Sequence, residues 1–242
     1  MKDYIINAKI EHIAWKKQMR KKVSIVNKIT SKAQRKFNSM LPDKYHEIIT
    51  VSVKNMVKSV LFGYQYFTKS PYNNLSLGQR EDIARNKIDM YKKAAMAEGA
   101  ATGAGGIITG IADFPLLLGI KVKLLYDLAA VYGFDVRNYK ERLYVLNIIQ
   151  LAFSSQSYGN KIFDIMENWD SYSDKLPNNI NDFDWQSFQQ EYRDYLDLAK
   201  LLQLLPGIGA AVGFYVNGKL LDRLGEVAIN SYRMRLIEFK EL

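Results

Sequence analysis

"GAATGAGGIITGIADFPLLLGI", residues 99–120, admits two readings: a glycine loop that grips phosphate, or a place where helices pass at close range. A phosphate loop sets its glycines in a turn between a strand and a helix, so that backbone N–H groups and the helix N-terminus face the anion. This stretch follows the helical pattern "YKKAAMAEG" and has no Gly-Lys-Ser/Thr ending. The second run, Gly207, Gly209 and Gly213, is one residue off the dinucleotide spacing and follows "LAKLLQLLP". What both runs share is small residues four apart: Gly99 with Gly103, Gly106 with Gly110, and Gly209 with Gly213. On a helix that spacing clears one face for a neighbouring backbone. Glycine inside a helix costs roughly 1 kcal/mol relative to alanine, so such clusters carry a compensating packing role. The reading is close helix packing.

Working outward, nearly every segment shows helical periodicity. Between Ile5 and Met40 the set Trp15, Met19, Val26, Ile29, Ala33, Phe37 and Met40 recurs at helical intervals, with lysines on the other faces, which predicts a basic amphipathic helix stopped near Pro42. Asp43 to Phe67 reads as a second helix. Ser76 and Gln79 have capping-box spacing before a long helix, and Gly133 stands where the helix from Leu117 should end. "YKERLYVLNIIQLAFSS", "DWQSFQQEYRDYLDLAKLLQLL" and the C-terminal run from Gly207 supply further helices. No sustained period-two alternation occurs. The fold class is all-α, a multi-helix bundle with glycine-rich close-packed central helices, divided into a basic N-terminal arm (1–40) and a helical domain (41–242) that carries an acidic, loop-rich insertion at 163–184.

The chain of 242 residues carries a net charge of +9 and no cysteine, which excludes disulfides and thiolate chemistry. Residues 1–36 hold eleven basic residues against Asp3 and Glu11, so the whole excess lies in the arm. Residues 164–194 are acidic. Such an arm fits an anionic membrane surface or, less well, a nucleic-acid backbone, since no base-reading motif accompanies it. Residues 99–112 and 201–218 carry no formal charge. They read first as buried helices of a soluble or peripheral domain, with shallow or re-entrant insertion as the alternative, because a span needs about 20 apolar residues.

"YKKAAMAEGAATGAGGIITGIADFPLLLGIKVKLLYDLAAVYGFD", "ERLYVLNIIQLAF" and "LLPGIGAAVGFYVNGKLLDRLGEVAINSYRMR" resemble the EcsC family of bacterial proteins. The resemblance covers most of residues 45–240 and rests on Gly99, Thr102, Gly103, Ala112 to Pro115, Tyr132-Gly133, Pro206 to Ala210, Asn217, Arg233 and Arg235. It implies a helical fold and an inner-membrane context, with relatives often encoded beside an ABC transporter, and it brings no activity.

The chemistry in the chain is sparse. His12 and His46 cannot assemble a metal site, and a surface position is the default for each. No serine elbow or calcium loop occurs. Glu98 and Asp113 flank the glycine-rich run, where a charge must be exposed, paired or shifted in pKa; Asp113 reads as an N-terminal cap residue, and Lys121, Lys123, Arg233 and Arg235 are candidate partners. Glu98, Asp113, Asn217, Arg233 and Arg235 therefore form the candidate polar site, either structural or ligand-contacting. Trp15, Lys16, Lys17, Met19, Arg20, Lys21 and Lys22 are the candidate membrane-contact set. No cofactor or metal is called for. The expectation is a cytoplasmic protein peripheral to the inner face of the membrane, a binding or accessory protein rather than an enzyme, with an ABC transporter or other membrane protein as partner and self-association left open. The alternatives are an enzyme or carrier for a lipid-like ligand and a nucleic-acid-binding protein. The alternative for the arm is that it packs on the core and shows its lysines to water.

Overall fold

In a computed structural model, residues 2–20, 43–63, 69–104, 114–154, 156–184, 188 and 210–237 are described. They form α1 (Lys2–Met19), α2 (Asp43–Phe62), α3 (Leu77–Ala104), α4 (Phe114–Tyr132), α5 (Tyr139–Phe153), α6 (Gln156–Glu167), α7 (Trp169–Ser173) and α8 (Ala210–Leu236), with a 3-10 turn at Ile180–Asp182. No β-strand occurs among the described residues. The protein is all-α. Lys21 and Lys22, and with them the expected continuation of the arm helix, lie outside the described residues, as do Gly106, Gly110, Asp113 and Gly209.

The longest helices, α3 and α8, make the most extensive pairing and run antiparallel. Their register is fixed by Arg233 on Glu81, Asp222 on Lys92 and Gly218 beside Met96. α4 packs antiparallel to α3, with Lys87 on Asp127 and Arg80 on the Val131 carbonyl, and so runs parallel to α8. α5 is apolar almost all round, and thirteen of its residues are buried. It fills the centre against α2, α6 and α8. A helix with no polar face must be enclosed on every side, and these neighbours enclose it.

Local sequence signals account for the helix ends. Gln79 N–H donates to Ser76 Oγ at 3.4 Å while Ser76 N–H donates to Gln79 Oε1 at 2.9 Å, a reciprocal capping box that opens α3. Gly133 closes α4 with φ of +92°, a conformation that disfavours any Cβ, and Phe134 N–H donates back to the Ala129 carbonyl. A side chain at Gly133 would also meet the Arg80 guanidinium at 3.2 Å. That guanidinium donates to the Tyr72, Leu75 and Val131 carbonyls, tying the loop before α3 to the end of α4.

Gly99 and Gly103 lie in α3 and Gly213 in α8. Across the α3/α8 seam a close approach is seen at Gly218 and Gly225, two turns apart on α8. A Cβ on Gly225 would stand 2.7–2.9 Å from three carbons of Ile88, and one on Gly218 3.0 Å from the sulfur of Met96. Gly119 has nothing within 4 Å. Gly225→Leu is expected to cost about 1–3 kcal/mol through overpacking, whereas Gly119→Ala should gain up to about 1 kcal/mol of helix propensity. Urea unfolding of the two variants checks the contrast; equal effects would refute it.

Candidate functional site

α1 brings three side chains to the α3/α8 seam. Arg233 donates from Nε to Glu81 Oε1 at 2.7 Å and from Nη2 to Glu81 Oε2 at 2.6 Å, and its Nη1 donates to Glu11 Oε2 at 3.0 Å. Tyr4 Oη donates to Glu81 Oε2 at 2.7 Å, and Arg85 stands 3.6 Å from the same oxygen. The Glu81 side chain is 0% exposed and that of Arg233 3%. Burial works against the guanidinium charge, but Glu81 and Glu11 outweigh it and hold the proton more tightly than in water. Burial, together with the hydrogen bond to Glu81 and its charge, raises Tyr4 to about 12.

Beside this centre, His12 is fully buried, and its Nδ1–H donates to Asn230 Oδ1 at 3.1 Å. The carbonyl acceptor dictates that tautomer. Its ring stacks on Trp15 at 5.6 Å, and Trp15 in turn meets Phe163 of α6. Burial pushes His12 down to about 4. The surface default for this residue is corrected: apolar neighbours and one amide replace its water.

A groove of about 580 Å³ runs between α1, α3 and α8, with Trp15, Ile88 and Ile229 among its apolar lining and Glu11, Arg85, Lys92, Asp222 and Arg233 among its charges. The charges are largely matched within the protein, Lys92 to Asp222 at 2.8 Å and Glu11 to Arg233. The described lining contains no serine, cysteine or histidine. No cluster able to hold a metal occurs among the described residues, and no described helix is long and apolar enough to cross a membrane.

Of the five candidate polar residues Asp113 lies outside the described residues, and the other four do not form one cluster. Arg233 belongs to the buried centre. Arg235 makes a two-pronged ion pair with Glu141 of α5, at 2.5 and 2.9 Å, and lies over the Phe134 ring at 3.8 Å. Asn217 sits on α8 sixteen residues before Arg233, about 24 Å along the axis, and Glu98 lies toward the same far end of α3. Glu81, missed in the sequence, stands next to Asp82 in the second turn of α3, and an exposed-looking Arg-Glu-Asp run does not reveal its partner.

The candidate membrane-contact set divides as well. Trp15 is 4% exposed and Met19 packs against the core, so both belong to the inner face of α1. Lys16 pairs with Glu167, and Arg20 with Glu167 and Asp164 of α6. Lys17 remains exposed. The large apolar residues that α1 exposes are instead Ile5, at 38%, and most fully Ile6, Ile10 and Ile13, at 51%, 60% and 50%.

The chain matches the EcsC protein family over residues 7–237, a span that takes in most of α1. It is 44% identical over 229 residues to "Protein EcsC" of Bacillus subtilis (strain 168), covering 94% of each chain. To "Uncharacterized protein YdbA" of the same organism it is 26% identical over 239 residues, covering 92% of this chain and 85% of that one. No solved structure matches.

Glu81→Gln removes the buried counter-charge of Arg233 and leaves it only the exposed Glu11; it is expected to cost about 3 kcal/mol, while the double replacement Glu81→Leu with Arg233→Met should cost far less. Urea unfolding distinguishes the two. His12 adds a pH signature. Its folded value, about 4, lies below the 6.5 of an unfolded chain, so between them the unfolded state takes the proton first. Stability from the neutral ring is complete above pH 6.5 and falls as pH drops toward 4; His12→Asn should flatten that part of the curve.

Proposed function

The chain belongs to the EcsC family, and we propose that it acts as a peripheral membrane protein that lays the outer face of α1 on anionic lipid. The observation that carries this reading is the stripe Ile6, Ile10 and Ile13, spaced four and three residues apart and half or more exposed, continued one turn on by Lys17. Lys9 borders it. An exposed apolar stripe edged with lysine is the pattern of a helix lying in the plane of the headgroups. Asp3, in the first turn, is the acidic residue on that side. Water-exposed isoleucines at three successive turns have no role in the described core, and lipid would cover them.

The inner face of α1 supports the same reading from the other side. With Trp15 and His12 in the core and Glu11 on Arg233, the helix cannot roll, and its outward residues are fixed. The protein would then meet the inner leaflet from the cytoplasm as a rigid platform. An integral membrane protein, an ABC transporter first, is the partner this location suits. The role is binding rather than catalysis.

Replacing Ile6, Ile10 and Ile13 together with serine should weaken binding to phosphatidylglycerol vesicles at least tenfold, about 1.4 kcal/mol or more, with the melting temperature unchanged. Neutral phosphatidylcholine vesicles should bind the parent weakly, and added salt should weaken the anionic case. Vesicle binding unaffected by the triple replacement, or tighter salt-sensitive binding to DNA than to vesicles, would sink the proposal.

A further inference from the structure

The end of the bundle where α3 finishes and α4 and α8 begin holds polar groups that the Glu81–Arg233 centre does not use. Lys121 of α4 is 1% exposed, and its ammonium donates to the Leu117 carbonyl of its own helix at 3.3 Å. No carboxylate of the described residues lies within ion-pair distance of it. Burial, with no opposing charge to offset it, lowers the amine to about 8. Asn217 of α8 is 0% exposed, and neither its amide nitrogen nor its amide oxygen has a hydrogen-bond partner among the described residues.

Register places the two groups at one level. Tyr132 of α4 stacks on Tyr232 of α8, centroids 4.9 Å apart and planes 16° apart. Because the helices run in the same direction, equal steps back along each stay level: fifteen residues before Tyr232 is Asn217, and fifteen before Tyr132 is Leu117, whose carbonyl holds the Lys121 ammonium. Three turns separate Lys121 from Tyr132 and four separate Asn217 from Tyr232, so both share the face of the stacked tyrosines. Around them on the same helices, Leu117, Leu124, Leu221 and Leu224 are fully buried. Glu98, level with residue 216 by the α3/α8 register, is partly exposed and makes no ion pair with a described residue.

A buried ammonium without a counter-charge and a buried amide without partners each oppose folding. Native proteins keep such groups where a ligand or an ordered water completes them. We propose that Lys121 and Asn217 are the head of an internal binding site for an amphiphile, its carboxylate or phosphate oxygens taking the ammonium and amide donors while its apolar body lies among the leucines of α4 and α8. The ammonium supplies the charge and the amide fixes orientation. The site is separate from the outer face of α1 and does not depend on membrane docking.

The test is calorimetric titration of the full chain, without vesicles, with dodecanoate and with dodecyl phosphate below their micellar concentrations. Saturable one-to-one binding of either probe is expected, and the tighter of the two identifies the head group. Lys121→Met and Asn217→Leu should each weaken binding at least tenfold, and Lys121→Met should melt no lower than the parent without ligand, since it removes a buried charge. The Ile6, Ile10 and Ile13 triple replacement should bind both probes normally. If Lys121→Met does not fold, Asn217→Leu decides alone. No saturable binding of either probe, or binding unchanged in the variants that fold, would overturn the assignment.

Discussion

Arg233 and Glu81 face each other across the α3/α8 seam through two short charge-assisted hydrogen bonds, with neither side chain more than 3% exposed. Such a pair contributes little net stability compared with apolar residues of the same size, because desolvating both charges offsets their attraction. What it enforces is geometry. A guanidinium fork and a carboxylate meet in one plane and one register, and any slip of α8 along α3 strands two buried charges. The close approach of Gly225 to Ile88 lies two turns away, where the helices have no side chain to spare between them.

The same pair recruits α1. Glu11 takes the remaining Arg233 nitrogen, Tyr4 donates to Glu81, and His12 reaches Asn230 on α8. Three polar contacts on one face of an 18-residue helix set its rotation, and Trp15 and Ala8 fill the apolar space between them. Fixing that rotation is what turns Ile6, Ile10 and Ile13 outward. The internal electrostatics and the surface chemistry are therefore one arrangement: the charges at the seam determine which side of α1 meets the surroundings.

Much of this was legible in the residues. Ser76 with Gln79 and Gly133 announced the ends of α3 and α4, because capping is local chemistry that three or four residues can specify. The rotation of α1 was not legible. The helix carries two apolar stripes, one through Ala8, Trp15 and Met19 and one through Ile6, Ile10 and Ile13, and periodicity alone cannot rank them; the tryptophan drew the membrane reading to the face that is buried. Two charge asymmetries, a basic arm and an acidic stretch after residue 163, read as separate features yet meet where Lys16 and Arg20 pair with Glu167. Glu81 sits in an ordinary charged run beside Arg80 and Asp82, and its partner is 152 residues away. Long-range pairing of this kind leaves no local trace. Gly218 and Gly225 went unremarked because their spacing is seven rather than four, although on a helix both intervals return to the same side.

The central claim is that α1 is part of the bundle, held by the Glu81–Arg233 centre. Amide hydrogen exchange of the full chain measures this directly. If the claim holds, the amides of α1 from Ala8 to Trp15 exchange as slowly as those at the middle of α8, because both open only with the whole fold, and Glu81→Gln speeds them together. Exchange of α1 at the rate of an isolated helix, with α8 still protected, would contradict it.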